Sequence, residues 1–341
     1  MGKTIRVAED RASDQTKTVL PAEVARGVYM QNAPSLQALK VMHLLIATAG
    51  GRMADEVKHE LRLSQINQIE GMRNHTRASL TPLFAELSAA TLIHDDKAKM
   101  RVVIGGLLDE AQIDYRAEAA TGDLVVSWWF RRTFRDMAAA SNHWAILDRQ
   151  TVFHLGSKYA VLLFQHIASL TGLDHIQSKT FTVPELRALF GVPAGKLTRF
   201  SNLNTWALKP AIDEINQLSR LTLTATPHKI GRTVATIEIA WIEKAPEATA
   251  ETKRELARPK IGREVRRNGT AEAVTAAFPA SGSITFGTWG DIARQELPTP
   301  RRDVDLVAQD FRRWCEGKGI SLDAPGTEDR FRTFCKNCHP A

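Results

Sequence analysis

The amino-acid sequence predicts an α+β fold in which one unit, three helices followed by a β-hairpin, is used twice and is followed by a basic linker and a small helical module. Three observations predict it. The same order of helical periodicity and then strand-like alternation runs through residues 36–130 and again through 157–242. The second occurrence holds a capping-box signature, Thr182-Val183-Pro184-Glu185. It also ends on two strand-like runs flanking a basic tip, Pro227-His228-Lys229-Ile230-Gly231-Arg232.

In the first unit, Leu36, Leu39, Met42, His43 and Ile46 form one stripe of a helix over Leu36–Ala49, closed by Gly50-Gly51. A short helix around Ser64–Gly71 follows. Asn74 reads as the N-cap of a longer helix whose apolar face is Leu80, Leu83, Phe84 and Leu87. The periodicity then changes: Met100–Leu108, Gln112–Arg116 and Leu124–Phe130 read as strands, with Asp109-Glu110 and Thr121-Gly122-Asp123 as turns.

The second unit opens on an amphipathic helix over Ser157–Leu170, with Tyr159, Leu162, Leu163, His166, Ile167 and Leu170 clustered along it. The capping box starts a short helix, Pro184–Phe190, that stops at Gly191. A loop with Lys196, Arg199 and Asn202 leads to a helix that ends near Ser219 and carries Leu208, Ile212, Ile215 and Leu218 one turn apart. Pro210 cannot donate to Trp206, so the regular helix either begins at Lys209 or kinks there. Leu221–Thr226 and Thr233–Ile242 close the unit as strands. Three helices and a hairpin with a basic tip is the winged-helix order, in which the second and third helices form a helix-turn-helix. The expected domains are a flexible tail over 1–17, a first winged helix over 18–148, a second over 149–244, a basic linker over 245–283 and a helical module over 284–341. That module rests on Trp289, Ile292, Val304, Leu306, Val307, Phe311, Trp314, Phe331 and Phe334.

With 341 residues, 43% of them hydrophobic, the chain has enough apolar mass for two or three cored domains. It has no run near the ~20 apolar residues of a membrane helix. Residues 1–17 lack a signal-peptide core, so a cytoplasmic location is expected, with no membrane partner. Three cysteines, all towards the C-terminus, are too few for a disulfide framework. The net charge of +7 is unevenly spread: residues 1–150 hold 19 basic and 18 acidic groups, whereas 151–245 hold 10 and 6. Seven basic and two acidic groups crowd 253–267. The positive field therefore centres on the second unit and the segment after it, as a phosphate-binding surface requires.

A recognition helix packs one face and reads with the other. Beside the aliphatic side of the 204–219 helix lie Asn202, Asn204, Thr205 and Lys209, all towards the N-terminal end that enters a major groove. Asparagine pairs with adenine, and lysine or arginine contacts guanine or phosphate. Asp213 and Glu214, one turn on, oppose a helix lying flat along phosphates. Lys196 and Arg199 in the preceding loop, and Lys229 and Arg232 at the hairpin tip, complete the candidate DNA-binding set. Arg131, Arg132 and Arg135 after the first unit's last strand read equally as a backbone contact or a solvated face.

The stretch Asn204-Thr205-Trp206-Ala207-Leu208-Lys209-Pro210-Ala211-Ile212-Asp213-Glu214-Ile215-Asn216 resembles the LKPAI-x-EIN signature of iteron-binding plasmid replication initiators. Lys158-Tyr159-Ala160 and Phe181-Thr182-Val183-Pro184-Glu185-Leu186-Arg187 fit the same pattern in the right order, and the resemblance spans residues 18–245. It implies tandem winged helices, the first mediating dimerisation and touching the DNA backbone, the second making the sequence-specific contacts. It further implies monomers on direct repeats (iterons) at an origin that help to melt nearby AT-rich DNA. Recruitment of a host initiator ATPase and replicative helicase follows, with homodimers repressing the chain's own gene from an operator inverted repeat. A winged-helix transcriptional repressor without origin function is the alternative.

Enzymatic readings find no support in the motifs, and no catalytic residue, metal or cofactor is expected. None of the ten histidines forms the His-x-His pair of a DNA-cleaving tyrosine enzyme, and Tyr159 lies on an apolar helix face. Gly191-Val192-Pro193-Ala194-Gly195-Lys196-Leu197 is one residue short of a phosphate loop and has Leu197 where a magnesium-binding hydroxyl belongs. Cys335-Lys336-Asn337-Cys338-His339 matches a haem-attachment pattern, which requires export. Zinc held by Cys315, Cys335, Cys338 and His339 stays open beside the plainer reading of Cys315 as a buried thiol.

Overall fold

The structure, a computed structural model, describes residues 2–31, 33–72, 74–173, 175–258, 260, 262–267, 277–324 and 326–338. It divides into two compact units, Met1–Arg258 and a C-terminal one. No described helix is long and apolar enough to cross a membrane.

The larger unit holds two winged helices with the same strand order. In the first, the helices Leu36–Ala49, Leu63–Asn67 and Arg77–Ala89 accompany a sheet in which Val125–Phe130 lies between Leu108–Asp114 and His59–Arg62. In the second, Lys158–Ala168, Val183–Leu189 and a helical run from Phe200 to Leu218 accompany a sheet in which Thr233–Glu243 lies between Leu221–Ile230 and Ser178–Thr182. In both, a short strand between the first two helices pairs with the returning wing strand. These short strands were not expected from the sequence: His59–Arg62 and Ser178–Thr182 carry little alternation and owe their geometry to the partner strand.

The first winged helix carries an insertion between its third helix and its wing. Thr91–Asp96 and Arg101–Gly105 form a hairpin, with Val28–Gln31 paired on its other side, so Arg101–Gly105 is an edge strand. The strand expected over Met100–Leu108 is thus two strands of different sheets. Thr76, not Asn74, caps Arg77–Ala89: its side chain accepts from the Ser79 amide while Ser79 reaches back.

Three boundary expectations are corrected. Residues 2–17 are not the flexible tail expected over 1–17. Lys3–Asp10 is a helix with Ile5 and Ala8 buried, and Thr4 donates to Ser141 Oγ at 2.9 Å. Lys17–Pro21 then pairs with Trp144–Asp148. Nor is 245–283 a linker throughout. Pro246–Ala257 is a helix with Thr252, Glu255 and Leu256 buried, and Lys244 tethers its second turn by donating to Thr252 Oγ1 at 2.8 Å. At the other end Phe278 is fully packed in the C-terminal core, so that module begins before 284. In both cases tertiary burial outweighs a polar local composition.

One apolar core runs through both winged helices, from Ile5 to Leu256. Their first helices meet through buried polar groups. Gln165 Nε2 donates to the Ala25 carbonyl at 3.4 Å, leaving its Oε1 to accept from His43 Nε2 at 3.1 Å. Lys40, also buried, donates to the Phe153 carbonyl. Burial lowers the His43 pKa to about 4, outweighing the Gln165 bond, which raises it. Burial, then Lys179 and Arg26, lowers His166 to about 3.

The C-terminal unit has its own core. Thr288–Glu296, Val304–Lys318 and Thr327–Lys336 surround Phe278, whose ring contacts Trp289, Phe311 and Phe331 at centroid distances of 4.8–4.9 Å. Cys315 and Cys335 are buried in it, and desolvation pushes the Cys335 thiol up to about 12. Among the described residues no group of three or more His, Cys, Asp or Glu side chains is placed to hold a metal ion; His339 lies outside them.

Because His43 and His166 stay neutral when folded but titrate near pH 6.5 when unfolded, their contribution is complete above pH 6.5 and is lost as pH falls towards 4. Urea unfolding at pH 5 should show a loss of up to about 2 kcal/mol per ring relative to pH 7.5. His43→Gln should shrink the difference between the two pH values; an unchanged difference would show that the burial of His43 does not cause it.

Candidate nucleic-acid interface

The run from Phe200 to Leu218 is helical throughout, yet not uniform. Phe200–Leu203 is α-helical, Asn204–Leu208 forms a π-turn, and Lys209–Leu218 resumes the α-helix with Pro210 in its first turn. Pro210 has no amide to give Trp206, and the wider turn before it accommodates the missing bond without ending the helix. The sequence left open a start at Lys209 or a kink; the outcome is a continuous helix with a π-turn. The loop expected over Lys196–Asn202 is correspondingly shorter, with Arg199 at the N-cap and Asn202 inside the helix.

Leu203, Ala207, Leu208, Ala211, Ile212, Ile215 and Leu218 form the buried side of this run. Asn202, Thr205, Trp206 and Lys209 are exposed along the opposite side, at spacings of three and four, while Asn204 is half-buried at its margin. Trp206 is 70% exposed, a bulk of apolar surface that the sequence reading had assigned to neither face. Lys209 pairs with Asp213 at 2.8 Å. Glu214 turns inward and accepts the Gly156 amide at 2.6 Å, so of the two acids only Asp213 borders the exposed face.

Asn216 fixes the wing against this helix. Its Nδ2 donates to the Leu223 carbonyl at 3.0 Å and its Oδ1 accepts the Leu223 amide at 2.6 Å. One side chain thereby occupies both hydrogen-bonding groups of a strand residue. Thr151 Oγ1 donates to the Leu218 carbonyl at 2.9 Å, tying down the other end. The capping box is formed as expected: Thr182 Oγ1 accepts from the Glu185 amide, and the Thr182 amide donates to Glu185 Oε2 at 2.7 Å. Those Thr182 bonds hold the Glu185 carboxyl below its ordinary pKa.

The wing strands stay paired from Leu221↔Glu243 to Ile230↔Thr233, but the third strand stops at Thr236. Residues 229–235 are therefore a two-stranded ribbon, exposed at 229–233 and reaching roughly 10 Å beyond His228 at ~3.3 Å per residue. The turn is Gly231-Arg232, with Gly231 at φ +62° supplying the left-handed conformation a two-residue hairpin turn demands. The tip is thus shorter than the expected Pro227–Arg232, and Lys229 sits in the strand beside a bulge. Lys196, Arg199, Lys229 and Arg232 are exposed, and none has a carboxylate within 4 Å among the described residues.

The first winged helix differs in surface chemistry. On its third helix Arg77 lies over the Tyr115 ring at 4.2 Å and pairs with Glu118 at 3.5 Å. Arg131, Arg132 and Arg135 each face a carboxylate, on Asp109, Asp136 and Glu56.

Fold and helix-plus-ribbon geometry together define a tandem winged-helix protein. Within that class, residues 182–241 match the family described as "Initiator Rep protein, WH2", so the second winged helix is a WH2 domain of the initiator Rep type. Among solved structures the chain is similar to the Pi initiator protein in complex with iteron DNA, at 16% identity and a TM-score of 0.49, covering 67% of this chain and 98% of that one. It is also similar to domains 2 and 3 of RctB, at 12% identity and a TM-score of 0.36, covering 61% and 81%. No curated protein matches.

Replacing Asn216 by Ala removes both bonds to Leu223 and leaves that residue's amide and carbonyl without their partner. The variant should lose about 1–3 kcal/mol of unfolding free energy in urea titrations; a loss below a few tenths would show that the ribbon is anchored elsewhere.

Proposed function

We propose that this chain is a plasmid replication initiator that binds origin iterons as a monomer through its second winged helix. The observation that carries the proposal is the exposed face Asn202-Thr205-Trp206-Lys209, presented by an initiator Rep WH2 domain beside a cationic ribbon. In this reading the front of the helix enters the major groove, Asn202, Asn204 and Thr205 read base edges, and Lys196 and Arg199 grip the flanking phosphates. Lys229 and Arg232 on the ribbon engage the adjoining backbone. The role is binding and deformation of duplex DNA, not catalysis.

The first winged helix serves dimerisation in this proposal. Supporting it, edge strand Arg101–Gly105 exposes Val102 (58%) and Ile104 (61%), a strand edge of the kind that pairs with another chain. Dimers occupy an operator inverted repeat and repress the gene, while monomers on iterons promote melting and recruit a host initiator ATPase and replicative helicase.

Footprinting on the DNA flanking the gene, at several salt concentrations, tests the proposal. Protection of several direct repeats of about 20 base pairs, spaced by whole helical turns, beside an AT-rich stretch is the expected result. Protection of a single promoter palindrome instead identifies a repressor. Lys209→Ala should weaken repeat binding, by ~1–3 kcal/mol with relaxed specificity if it contacts a base, or uniformly across sequences if it contacts phosphate. Arg232→Ala should reduce the slope of log K against log salt by about one; an unaltered slope removes the ribbon from the interface. Ile104→Lys should shift sedimentation towards the monomer and weaken operator binding more than iteron binding, and unchanged dimerisation would exclude this edge.

A further inference from the structure

We propose that Trp206 is a specificity-determining residue that reads the 5-methyl group of a thymine in the major groove. This inference rests on the DNA-binding role proposed above for the same face. The indole is 70% exposed, and no aromatic ring or cation of the protein packs on it among the described residues. It has a fixed position: the π-turn Asn204–Leu208 places it between Thr205 and Lys209, while its neighbours Ala207 and Leu208 are buried and hold the turn in place.

Its surroundings decide what it faces. Polar groups flank it on the same side at Asn202 and Thr205, and a cation follows one turn later at Lys209. The cations suited to phosphate lie at the periphery, at Lys196 and Arg199 before the helix and at Lys229 and Arg232 on the ribbon. A side chain in the middle of such a face meets base edges rather than backbone. An indole has a single donor and a large apolar surface, and the apolar feature that a base edge offers in the major groove is the thymine methyl. Burial of that methyl against the ring removes apolar surface from water on both partners, which gives A·T over G·C preference at one step without a hydrogen bond.

The test uses the full chain. A preferred sequence is selected from a pool of random duplexes, and each thymine of that sequence is then replaced in turn by deoxyuridine, which deletes only the methyl. Binding is measured by fluorescence anisotropy for the wild type and for Trp206→Ala, whose thermal transition is recorded alongside to confirm folding. At one thymine, deoxyuridine should weaken wild-type binding about 3–10-fold and leave Trp206→Ala unaffected, and Trp206→Ala itself should bind the thymine site about 5–20-fold more weakly. Equal deoxyuridine penalties in the two proteins, or a Trp206→Ala variant that binds as tightly as the wild type, overturn the proposal while leaving the DNA-binding role intact. A loss of affinity in Trp206→Ala with no deoxyuridine-sensitive position overturns the methyl assignment in favour of a stacking contact. A wild-type chain that selects no sequence and binds DNA without salt dependence overturns the DNA-binding role and this proposal with it.

Discussion

The geometry of the second winged helix depends on the paired hydrogen bonds between the Asn216 amide and the backbone of Leu223. A carboxamide is the side-chain group that both donates and accepts in the manner of a peptide unit, so Asn216 acts as a strand partner projected from a helix. It joins the last turns of the helical run from Phe200 to Leu218 to the first strand of the wing, at 2.6 and 3.0 Å. Glu214 and the Leu218 carbonyl bind the same turns to Gly156 and Thr151. Helix, ribbon and the segment before the first helix are thereby held in one orientation. The Glu and Asn of the LKPAI-x-EIN stretch accordingly serve the scaffold, and the polar residues ahead of it occupy the exposed face.

The two winged helices share a strand order but not a surface. In the first, Arg77, Arg131, Arg132 and Arg135 are matched by carboxylates or an aromatic face. In the second, four cations around the exposed helix and ribbon face water. Neutralising a cation internally lowers its value to a phosphate, because exchange of one partner for another gains little. The same topology thus carries two different surfaces: one with its cations paired and an open strand edge, and one whose cations face water. The shared core and the buried His43–Gln165 contact couple the two mechanically.

What the sequence made legible was what is decided locally. The capping box at Thr182, the amphipathic helices Leu36–Ala49 and Lys158–Ala168, and the wing strands follow from short-range periodicity and end signals. The short strands His59–Arg62 and Ser178–Thr182 were missed, since their conformation is imposed by a partner more than fifty residues away along the chain. The N-terminal helix was masked by its charged residues, and only Ile5 and Ala8, three apart, marked a face that buries. Among the site residues, Asn202, Thr205 and Lys209 could be placed on a polar face by subtraction of the leucines and isoleucines. Trp206 was not placed there: it lies three residues before Lys209, a spacing that puts both on one side of a helix, but an aromatic residue gives no polar signal to mark that side.

That π-turn also sets how the exposed face is aimed. A π-turn winds five residues through about the angle that four residues of a regular α-helix cover, so it absorbs one extra residue without rotating the segments on either side. Each residue of an α-helix turns about 100°, so the same five residues wound regularly would swivel Phe200–Leu203 by that amount relative to Lys209–Leu218. Leu203 would leave the core and Asn202 would point along the flank of the protein. The wide turn thus keeps the front of the helix in phase with the rest, whereas added residues at the ribbon tip would only lengthen its reach.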